Sequence, residues 1–464
     1  MPNKTPHADQ TGGEARDPFM QSAIARPDQA SMGPFADLRI VEVGRFIAVP
    51  YCGQLFADGG ADVIKVEPLQ GDESRVNSPV APGEGRQFLN KNRGKRSIAL
   101  DLHDQDACRV LRRLIAGADI ALLNLRPGQA GEFGAGWEAM HTANPRLIYA
   151  DVSAFGLAGP DAGLPGMDHI VQPRSGLAAA LHGMDDGLPA SATLPLVDYT
   201  TALLLAWGVS TALYTRAVTG QGQLVRTSLL AGALVAQNNI LTDIPRLDTW
   251  RPPFVEWLAG ARRDGIPYGE QLAQRSRGRP AGAGAHIYSR CYATQDGYIA
   301  MQAGTISLQR RAIEVLGVDD PRLRSPGWRP EDPHQYFEEQ TARMQAALLG
   351  DRTAGWLARF RQAGIPAAEV RFPEEMYDDP QVTANDLIVT LPHPTLGPVR
   401  VVAPPVQFSG TPLAARRPPP RLGEHTRDVL REIDIEEDMA EAMLRRNAAA
   451  ALDGSGASIR RDER

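Results

Sequence analysis

The feature that most constrains the fold is a series of short apolar runs between residues 38 and 155, separated by helical patterns and turns. Runs at 38–44 and 61–67 flank a helical pattern that stops at Gly59-Gly60, which predicts a strand, a helix and a second strand. Such a unit folds into a parallel sheet with a right-handed crossover. Further strands are predicted at 95–102, 118–125 and 146–155, with a helix at 106–116. The first 155 residues therefore predict a Rossmann-type α/β sheet.

A Rossmann-type sheet raises the question of a nicotinamide cofactor. The loop after the first strand, residues 44–53, reads GRFIAVPYCG and lacks the GxGxxG fingerprint that holds a dinucleotide pyrophosphate. Glu67 ends the second strand, where a ribose-binding acid would lie, but a single acid is weak support. A nicotinamide-dependent enzyme is therefore not expected.

Size and composition exclude other classes of protein. With 464 residues, the chain has room for two or three domains. A net charge of -6 argues against a general nucleic-acid-binding protein, which would usually be basic. Three cysteines without a CxxC pair predict neither a zinc site nor a disulfide framework, so a cytoplasmic protein is expected. The longest apolar run, 202–213, is too short to span a bilayer, and no membrane segment is expected.

Composition also divides the chain into segments. Residues 1–34 are polar and lack an apolar run, which predicts a disordered extension rather than a secretory signal. Residues 284–390 predict a smaller α+β domain that opens with a hairpin turning at Asp296-Gly297. The other predicted segments are a large Rossmann-like domain at 35–240, an insertion rich in Arg, Gly and Pro at 241–283, a C-terminal segment at 391–446 and a disordered tail at 447–464.

The stretch 194–223 consists of a short apolar approach at 194–197 and a predicted long helix, and it contains the first candidate for chemistry. Asp198 lies where the helical pattern begins, the pattern runs through 199–219, and Gly220 is a natural stop. A carboxylate at a helix start accepts backbone N–H groups and stays ionised at neutral pH, so Asp198 could act as a nucleophile. Aspartate is also a common N-cap, and the residues alone favour capping over catalysis.

Three loops carry further candidates. The loop at 91–96, KNRGKR, places four cations in six residues just before a predicted strand. It is either a solvated turn or a phosphate clamp, since Arg and Lys bind phosphate oxygens by charge-assisted hydrogen bonds, and both interpretations stay open. A second phosphate candidate is NLRPG at 124–128, at the carboxyl end of a strand. Asp168 lies in a loop rich in Gly and Pro and is a turn or cap residue if considered alone.

Several stretches, in the same order over roughly residues 36–432, together resemble the family III CoA-transferases. This is the CaiB/BaiF family, which includes formyl-CoA:oxalate and carnitine CoA-transferases. Any one stretch would be weak support, but the ordered set is specific. The stretches are VPYCGQLFADGGADVIKVEP, NRGKRSIALDL, NLRPG, NPRLIYADVSAFGLAGP, PGMDHIVQPRSG, VDYTTALLLAWGVSTALYTRAVTGQGQ, YATQDGYIAM and HPTLGPV with RRPPPRLGEHT.

The resemblance implies a fold, an activity and a set of site residues. It implies a large Rossmann-like domain completed by the C-terminal segment, a small domain, and a homodimer of interlocked chains. The implied reaction moves CoA from an acyl-CoA donor to a carboxylic acid, with CoA as substrate and neither a prosthetic group nor a metal. Asp198 matches the family's nucleophilic aspartate, and Gly304 matches the region of the loop that closes over the site. The implied CoA contacts are Ile47, Ala48, Leu100, Asn124, Arg126, Pro165, Gly166, Met167 and Asp168.

Two positions depart from the family pattern. Pro68 and Glu132 lie where transferases of this kind can carry CoA-contacting arginines. Some phosphate contacts must then come from elsewhere, and the basic loop is the candidate. Its residues are Lys91, Asn92, Arg93, Lys95 and Arg96. The insertion also differs from the shortest members, which leaves the acceptor open.

The main alternative on the same fold is an α-methylacyl-CoA racemase, which uses a His paired with an Asp. The racemase Asp also matches Asp198, so that residue does not separate the two activities. Met167 occupies the place of the racemase His, and a thioether cannot accept a proton at neutral pH. His169 could substitute, but a shift of one residue usually changes the direction of a side chain. A CoA-transferase is therefore favoured over a racemase, a non-catalytic CoA-binding protein and a nicotinamide-dependent oxidoreductase; donor and acceptor stay open.

Overall fold

The computed structural model describes residues 33–278, 287–325 and 327–452. The chain divides into two compact units, which we call the large unit and the small unit. The large unit takes in Met1–Leu181, Ser191–Leu241 and Asp379–Arg464, and the small unit takes in His182–Ala190 and Thr242–Asp378.

The unit boundaries differ from the predicted segments in two places. The predicted insertion at 241–283 belongs to the small unit from Thr242 onward. The large unit resumes at Asp379, whereas the predicted small domain continued to residue 390. The predicted disordered extension and tail fall mostly on residues 1–32 and 453–464, which lie outside the described residues.

A seven-stranded sheet forms the centre of the large unit. Its strands are β1 (Arg39–Val43), β2 (Asp62–Glu67), β3 (Arg96–Leu100), β4 (Ile120–Leu123), β5 (Ile148–Ser153), β6 (Leu224–Ser228) and β7 (Ala449–Ala450). The order across the sheet is β6-β5-β4-β1-β2-β3-β7, and every pairing is parallel except that of β7 with β3. The order of β1 to β6 is that of a Rossmann fold, so the predicted α/β sheet is confirmed. The predicted disordered tail is wrong at its start, because β7 lies within it.

Alternate residues of the strands pack into two cores on opposite faces of the sheet. On one face, Val41 packs with the helix Gln105–Ala116 and with the C-terminal helices Thr426–Glu432 and Glu437–Arg445. The C-terminal segment therefore completes the large unit, as the family resemblance implied. On the other face, Ile40 packs with the helix Ala48–Asp58 and the helix Leu196–Thr219.

The helix Leu196–Thr219, called the long helix below, carries Asp198. It begins two residues earlier than predicted, with Pro195 as its N-cap, so Asp198 lies in the first turn and is not the cap. The residues before Asp198 carry no helical repeat of their own, which explains why the pattern of apolar residues marked the boundary too late. The predicted stop is confirmed, because Gly220 has the left-handed φ of 78° that ends many helices.

Shorter elements surround the large sheet. They are a 3-10 helix Glu73–Arg75, the strands Pro79–Ala81, Glu84–Gly85, Ile388–His393 and Gly397–Val402, and the helices Arg86–Leu89, Gln129–Glu132, Trp137–Ala143, Asp168–Arg174, Leu177–Ala180, Leu229–Ala236, Asn238–Leu241 and Pro380–Ala384. The helix Leu229–Ala236 packs closely on the long helix. A Cβ on its Gly232 would lie 2.3 Å from Thr201 Oγ1, so no larger residue fits there.

The small unit contains a three-stranded antiparallel sheet, covered by helices around its own core. The predicted hairpin is confirmed, since Ser289–Ala293 pairs with Tyr298–Gln302 across the Asp296-Gly297 turn. The other elements are the strands Met184–Asp185, Leu188–Pro189 and Ala367–Glu369, the helices Arg251–Arg263, Tyr268–Gly278, Ile306–Leu316, Pro321–Arg324, Pro333–Leu348 and Thr353–Gln362, and the 3-10 helix Pro373–Tyr377.

Within the described ranges, one helix is long and apolar enough to cross a membrane by length and composition alone. It is the long helix, with 24 residues and a mean hydropathy of 1.3 over its most apolar window. It is twice as long as the apolar run at 202–213 that the sequence suggested. A core helix of a soluble protein passes the same test, so the absence of a membrane segment stays a prediction.

Candidate active site

The crevice at the carboxyl ends of β1 and β4 is where an open α/β sheet of this order binds ligands, since the strand order reverses there. Asn124 follows β4, and its side chain joins the loops that follow these two strands. Its Oδ1 accepts from the Arg45 N–H at 3.0 Å, and its Nδ2 donates to the Arg45 carbonyl at 2.9 Å. Phe46 has a left-handed φ of 64°, a conformation that costs energy for a residue with a side chain. Its N–H donates to Asp72 Oδ1 at 3.3 Å, which helps to hold the loop in place.

Asp198 lies close to the first of these loops. Its neighbour Val197 shares a buried cluster with Ala48, at the start of the helix that follows β1, and with Val171. Asp198 itself is half-buried. Its backbone N–H donates to Asp168 Oδ2 at 2.9 Å, so a second carboxylate approaches it. Burial raises the pKa of Asp198 to about 7, with repulsion from Asp168 adding to the shift and attraction by a nearby lysine opposing it. The expectation from the sequence that Asp198 stays fully ionised at neutral pH is therefore wrong, because burial outweighs the effect of the helix start.

Asp168 begins the helix Asp168–Arg174 and is buried, whereas the sequence favoured a turn or cap residue. Gln172, one turn later on that helix, donates to Asp168 Oδ1 at 2.5 Å. The same side chain accepts from the Ala192 N–H at 2.8 Å and donates to the Leu194 carbonyl at 3.4 Å. Gln172 therefore ties Asp168 to the segment that leads into the long helix, and this arrangement orients the first turn around Asp198.

Lys91 is the lysine whose charge opposes the rise in the pKa of Asp198. The residue is 3% exposed, and its ammonium donates to the Gln87 carbonyl at 3.3 Å and to Asn90 Oδ1 at 2.6 Å. It also lies 6.0 Å from the centre of the Tyr199 ring. Burial lowers the pKa of Lys91 to about 8, against the attraction of Asp198 and Asp72.

The rest of the basic loop is directed into the protein. Asn92, Arg93 and Lys95 are buried, so the interpretation of the loop as a solvated turn is wrong. The cations meet carboxylates of the chain in the pairs Arg93–Asp58 at 2.7 Å, Lys95–Glu42 at 2.7 Å and Arg96–Asp62 at 2.6 Å. A phosphate would have to replace these partners, so the geometry argues against a phosphate clamp at Arg93, Lys95 and Arg96.

Lys95 belongs to a buried ionic network beneath the loop that follows β1. Lys65 lies at its centre, with its ammonium 2.9 Å from Glu42 Oε1, 2.9 Å from Asp72 Oδ2 and 2.6 Å from the Gly44 carbonyl. Glu67 continues the network by accepting from Arg75 at 2.7 and 2.8 Å. Burial acts to raise the pKa of Glu67, but Arg75, Lys65 and the Ser97 hydroxyl together outweigh it, and the pKa falls below its usual range. Glu67 is fully paired inside the protein, which removes it as a ribose ligand.

The other predicted CoA contacts lie in different surroundings. Leu100 ends β3 and is buried in the sheet core, two strands away from the crevice. Arg126 is exposed in the loop after β4, and its guanidinium has no ion pair with any residue that the structure describes. Pro165, Gly166 and Met167 lead into the helix that begins at Asp168, with Met167 half-exposed. In the part of the chain with described coordinates, no group of three or more His, Cys, Asp or Glu residues could hold a metal ion.

Comparisons with known proteins show the family to which the chain belongs. A family model described as CoA-transferase family III matches residues 35–426. The chain belongs to CoA-transferase family III. It is 32% identical to a succinate–glutarate CoA-transferase of Agrobacterium fabrum, over 88% of this chain and 97% of the relative. It is 28% identical to a mouse succinyl-CoA:glutarate CoA-transferase, over 88% of each chain. The predicted family and the prediction of a transferase enzyme are confirmed.

A solved structure shares the fold of this family III chain. It is a CaiB/BaiF family protein of Brucella suis, with a TM-score of 0.66 and 26% identity, covering 87% of this chain and all of that one. Gly304, the predicted loop residue, lies in the small unit between the strand Tyr298–Gln302 and the helix Ile306–Leu316. Its role and the roles of the other predicted site residues stay predictions.

Sequence reasoning missed the residues that organise the site from within. Gln172 was not identified, because a glutamine on a short helix carries no pattern of its own. Lys65 and Asp72 were not identified, because their partners lie in other elements and only the fold brings them together. A charged residue inside an apolar strand, as Lys65 is in β2, is the one signal that could have indicated a buried ion pair.

Proposed function

We propose that this family III chain transfers CoA from an acyl-CoA to a carboxylic acid, with Asp198 as the nucleophile. The observation that carries the proposal is the position of Asp198, half-buried in the first turn of the long helix beside the loop that follows β1. Burial there removes water from the carboxylate and raises its pKa to about 7. A desolvated carboxylate is a stronger nucleophile than one in water. The relatives named as succinyl-CoA:glutarate transferases support small dicarboxylates as the first substrates to test.

The proposed chemistry keeps acyl groups and CoA in balance without any proton transfer. An Asp198 oxygen attacks the carbonyl carbon of the donor, the C–S bond breaks, and CoA leaves as its thiolate with Asp198 in a mixed anhydride. The thiolate attacks the Asp198 carbonyl carbon and releases the donor carboxylate, which leaves an aspartyl-CoA thioester. The acceptor carboxylate then attacks the carbonyl carbon of that thioester, the C–S bond breaks, and CoA leaves again as its thiolate with Asp198 in a second mixed anhydride. The thiolate takes the acceptor's acyl group and restores the Asp198 carboxylate.

The oxyanions formed in these steps require positive charge or N–H groups nearby. The N–H of Asp198 is already bonded to Asp168, so it is not available for that purpose. We assign the nucleotide part of CoA to the crevice at β1 and β4, where Asn124 orders the loops. Arg126 is exposed beside it and suits a CoA phosphate.

We further propose that the chain works as a homodimer. The long helix exposes a row of apolar side chains at helical spacing: Leu203, Trp207, Tyr214 and Val218. An exposed apolar row on one helix face is typical of a subunit interface. Trp207→Glu should reduce the mass found by light scattering to that of one chain, while Tyr298→Glu, at an exposed residue of the small unit, should not. A wild-type chain that is monomeric would contradict the proposal. A cytosolic location stays a prediction.

The experiment that tests the nucleophile is trapping of the thioester. The protein is incubated with succinyl-CoA or another acyl-CoA, reduced with borohydride and digested for mass spectrometry. Reduction of Asp198 to the alcohol is the expected result, and Asp198→Asn serves as the control. Exchange of the substrate's α-proton with heavy water in the absence of an adduct would instead support the racemase alternative and contradict the proposal.

A further inference from the structure

Lys91 differs from the other buried cations in the described part of the chain. Each of the others meets a carboxylate within 3.1 Å, in the pairs Lys65–Glu42, Arg75–Glu67, Arg93–Asp58, Lys95–Glu42 and Arg216–Asp119. The Lys91 ammonium has only neutral acceptors among the described residues, the Gln87 carbonyl and Asn90 Oδ1. A buried ammonium without an adjacent anion is costly, so its retention calls for a reason beyond folding.

The charged and aromatic groups around the Lys91 ammonium indicate why a buried lysine is present there. Asp198 is the largest favourable charge acting on Lys91, and Asp72 is the next. No Asp198 oxygen lies within the 4.0 Å of an ion pair with Lys91. Asp72 is already bonded to Lys65 at 2.9 Å. Tyr199 and Tyr51 line the same region, with their rings packed edge to face at 5.0 Å. Lys91 therefore lies near enough to feel the charge of the nucleophile but forms no direct ion pair with it.

The reaction changes the charge on one of these two groups. In the free protein, the Asp198 carboxylate balances Lys91 through space. Once Asp198 becomes a thioester it is neutral, and Lys91 loses its main counter-charge. A single negative charge brought in at that stage restores the balance, and the acceptor of a CoA-transferase brings that charge as a carboxylate.

We propose that Lys91 binds the acceptor carboxylate electrostatically beside Asp198 and thereby selects anionic acceptors at the thioester stage. The proposal rests on the function proposed above. It reassigns Lys91 from the CoA phosphates to the second substrate. A CoA phosphate would be present in both halves of the reaction and would not respond to the state of Asp198, whereas a carboxylate acceptor arrives when Asp198 has lost its charge.

The first test compares an anionic and a neutral acceptor on the same thioester. Lys91→Gln keeps an amide donor for Asn90 and removes the charge. We expect the KM for glutarate to rise about tenfold to hundredfold. The rate at which neutral hydroxylamine releases CoA from the Asp198 thioester should stay within about threefold of wild type. If Lys91→Gln impairs the reactions with glutarate and with hydroxylamine equally, Lys91 has a merely structural role and the proposal is overturned. Absence of the thioester in wild type would instead overturn the proposed function.

The second test does not depend on turnover. The chain has only four lysines, Lys4, Lys65, Lys91 and Lys95, so lysine labelled with ¹³C at Cε gives few NMR signals. Asp198→Asn places a neutral group at the nucleophile, as the thioester does. Glutarate should shift the Lys91 signal and bind about tenfold more tightly to Asp198→Asn than to wild type. Equal binding to both proteins, or a shift confined to other lysines, would contradict the proposal.

Discussion

The buried ionic network around Lys65 and the surroundings of Asp198 use the same chemical groups in opposite ways. In the network, lysine and carboxylates are in direct contact, as in Lys65 with Glu42 and Asp72 at 2.9 Å each. Around Asp198, the charges of Lys91 and Asp198 attract each other without forming an ion pair. The pKa of Lys91 is lowered to about 8, and the pKa of Asp198 is raised to about 7. Paired charges hold a structure, whereas charges kept apart remain available to a substrate.

Removing the unpaired carboxylate should have the largest effect on activity. Asp198→Asn keeps the size of the side chain and removes its nucleophilic oxygen, so kcat should fall by at least about 10³-fold. The melting temperature should change little, because Asp198 is half-buried and its backbone bond to Asp168 is retained. Steady-state kinetics and thermal unfolding measure the two effects. Residual activity close to wild type would remove Asp198 from the chemistry.

Breaking the paired network should instead affect stability. Glu42→Gln leaves Lys65 and Lys95 short of one buried partner, and the free energy of unfolding should fall by about 3–5 kcal/mol. The matched control is Arg431→Ala, which breaks an ion pair with Asp428 whose side chains are 68% and 64% exposed, and should cost less than about 1 kcal/mol. Urea unfolding measures both. Similar losses in the two variants would contradict the distinction between the network and the surface.

Substitutions of the charged neighbours of Asp198 should have a smaller effect and should shift the pH dependence of kcat/KM. Asp198 must be ionised to attack, so kcat/KM for the acyl-CoA should fall as the pH drops below about 7. Asp168→Asn removes a repelling charge and lowers the pKa of Asp198, so this acid limb should move down by up to about one pH unit. Lys91→Gln removes an attracting charge and should move it up by a similar amount. Shifts of the same sign in both variants would show that these charges do not act on Asp198.

The sequence predicted the parts of the molecule that depend on local pattern. The strands β1 to β5, the stop at Gly220 and the hairpin at Asp296-Gly297 follow from apolar periodicity and turn residues, and all are confirmed. The environment of the basic loop could not be predicted, because a run of cations has the same sequence pattern whether its side chains are solvated or buried. The partners that decide between the two are far away in the chain, as Arg93 and Asp58 are, 35 positions apart.

The short edge strand β7 and the start of the long helix show the same limit. A strand of two residues has no detectable periodicity, and its place in the sheet is decided by pairing with β3. The long helix begins at Leu196, where Val197 packs against Ala48 and Val171, although the residues up to Asp198 carry no helical repeat of their own. Tertiary contacts override local preference in both cases.

Transfer of isotope to Asp198 tests the central claim most directly. In a single turnover with an acceptor whose carboxylate carries ¹⁸O, the acceptor attacks the aspartyl thioester and leaves one of its oxygens on Asp198 when the anhydride is cleaved. Mass spectrometry of the Asp198 peptide should then show one ¹⁸O, and Asp198→Asn should show none. Formation of the acceptor's CoA thioester with an unlabelled Asp198 would contradict the account, because CoA would then reach the acceptor without passing through this carboxylate.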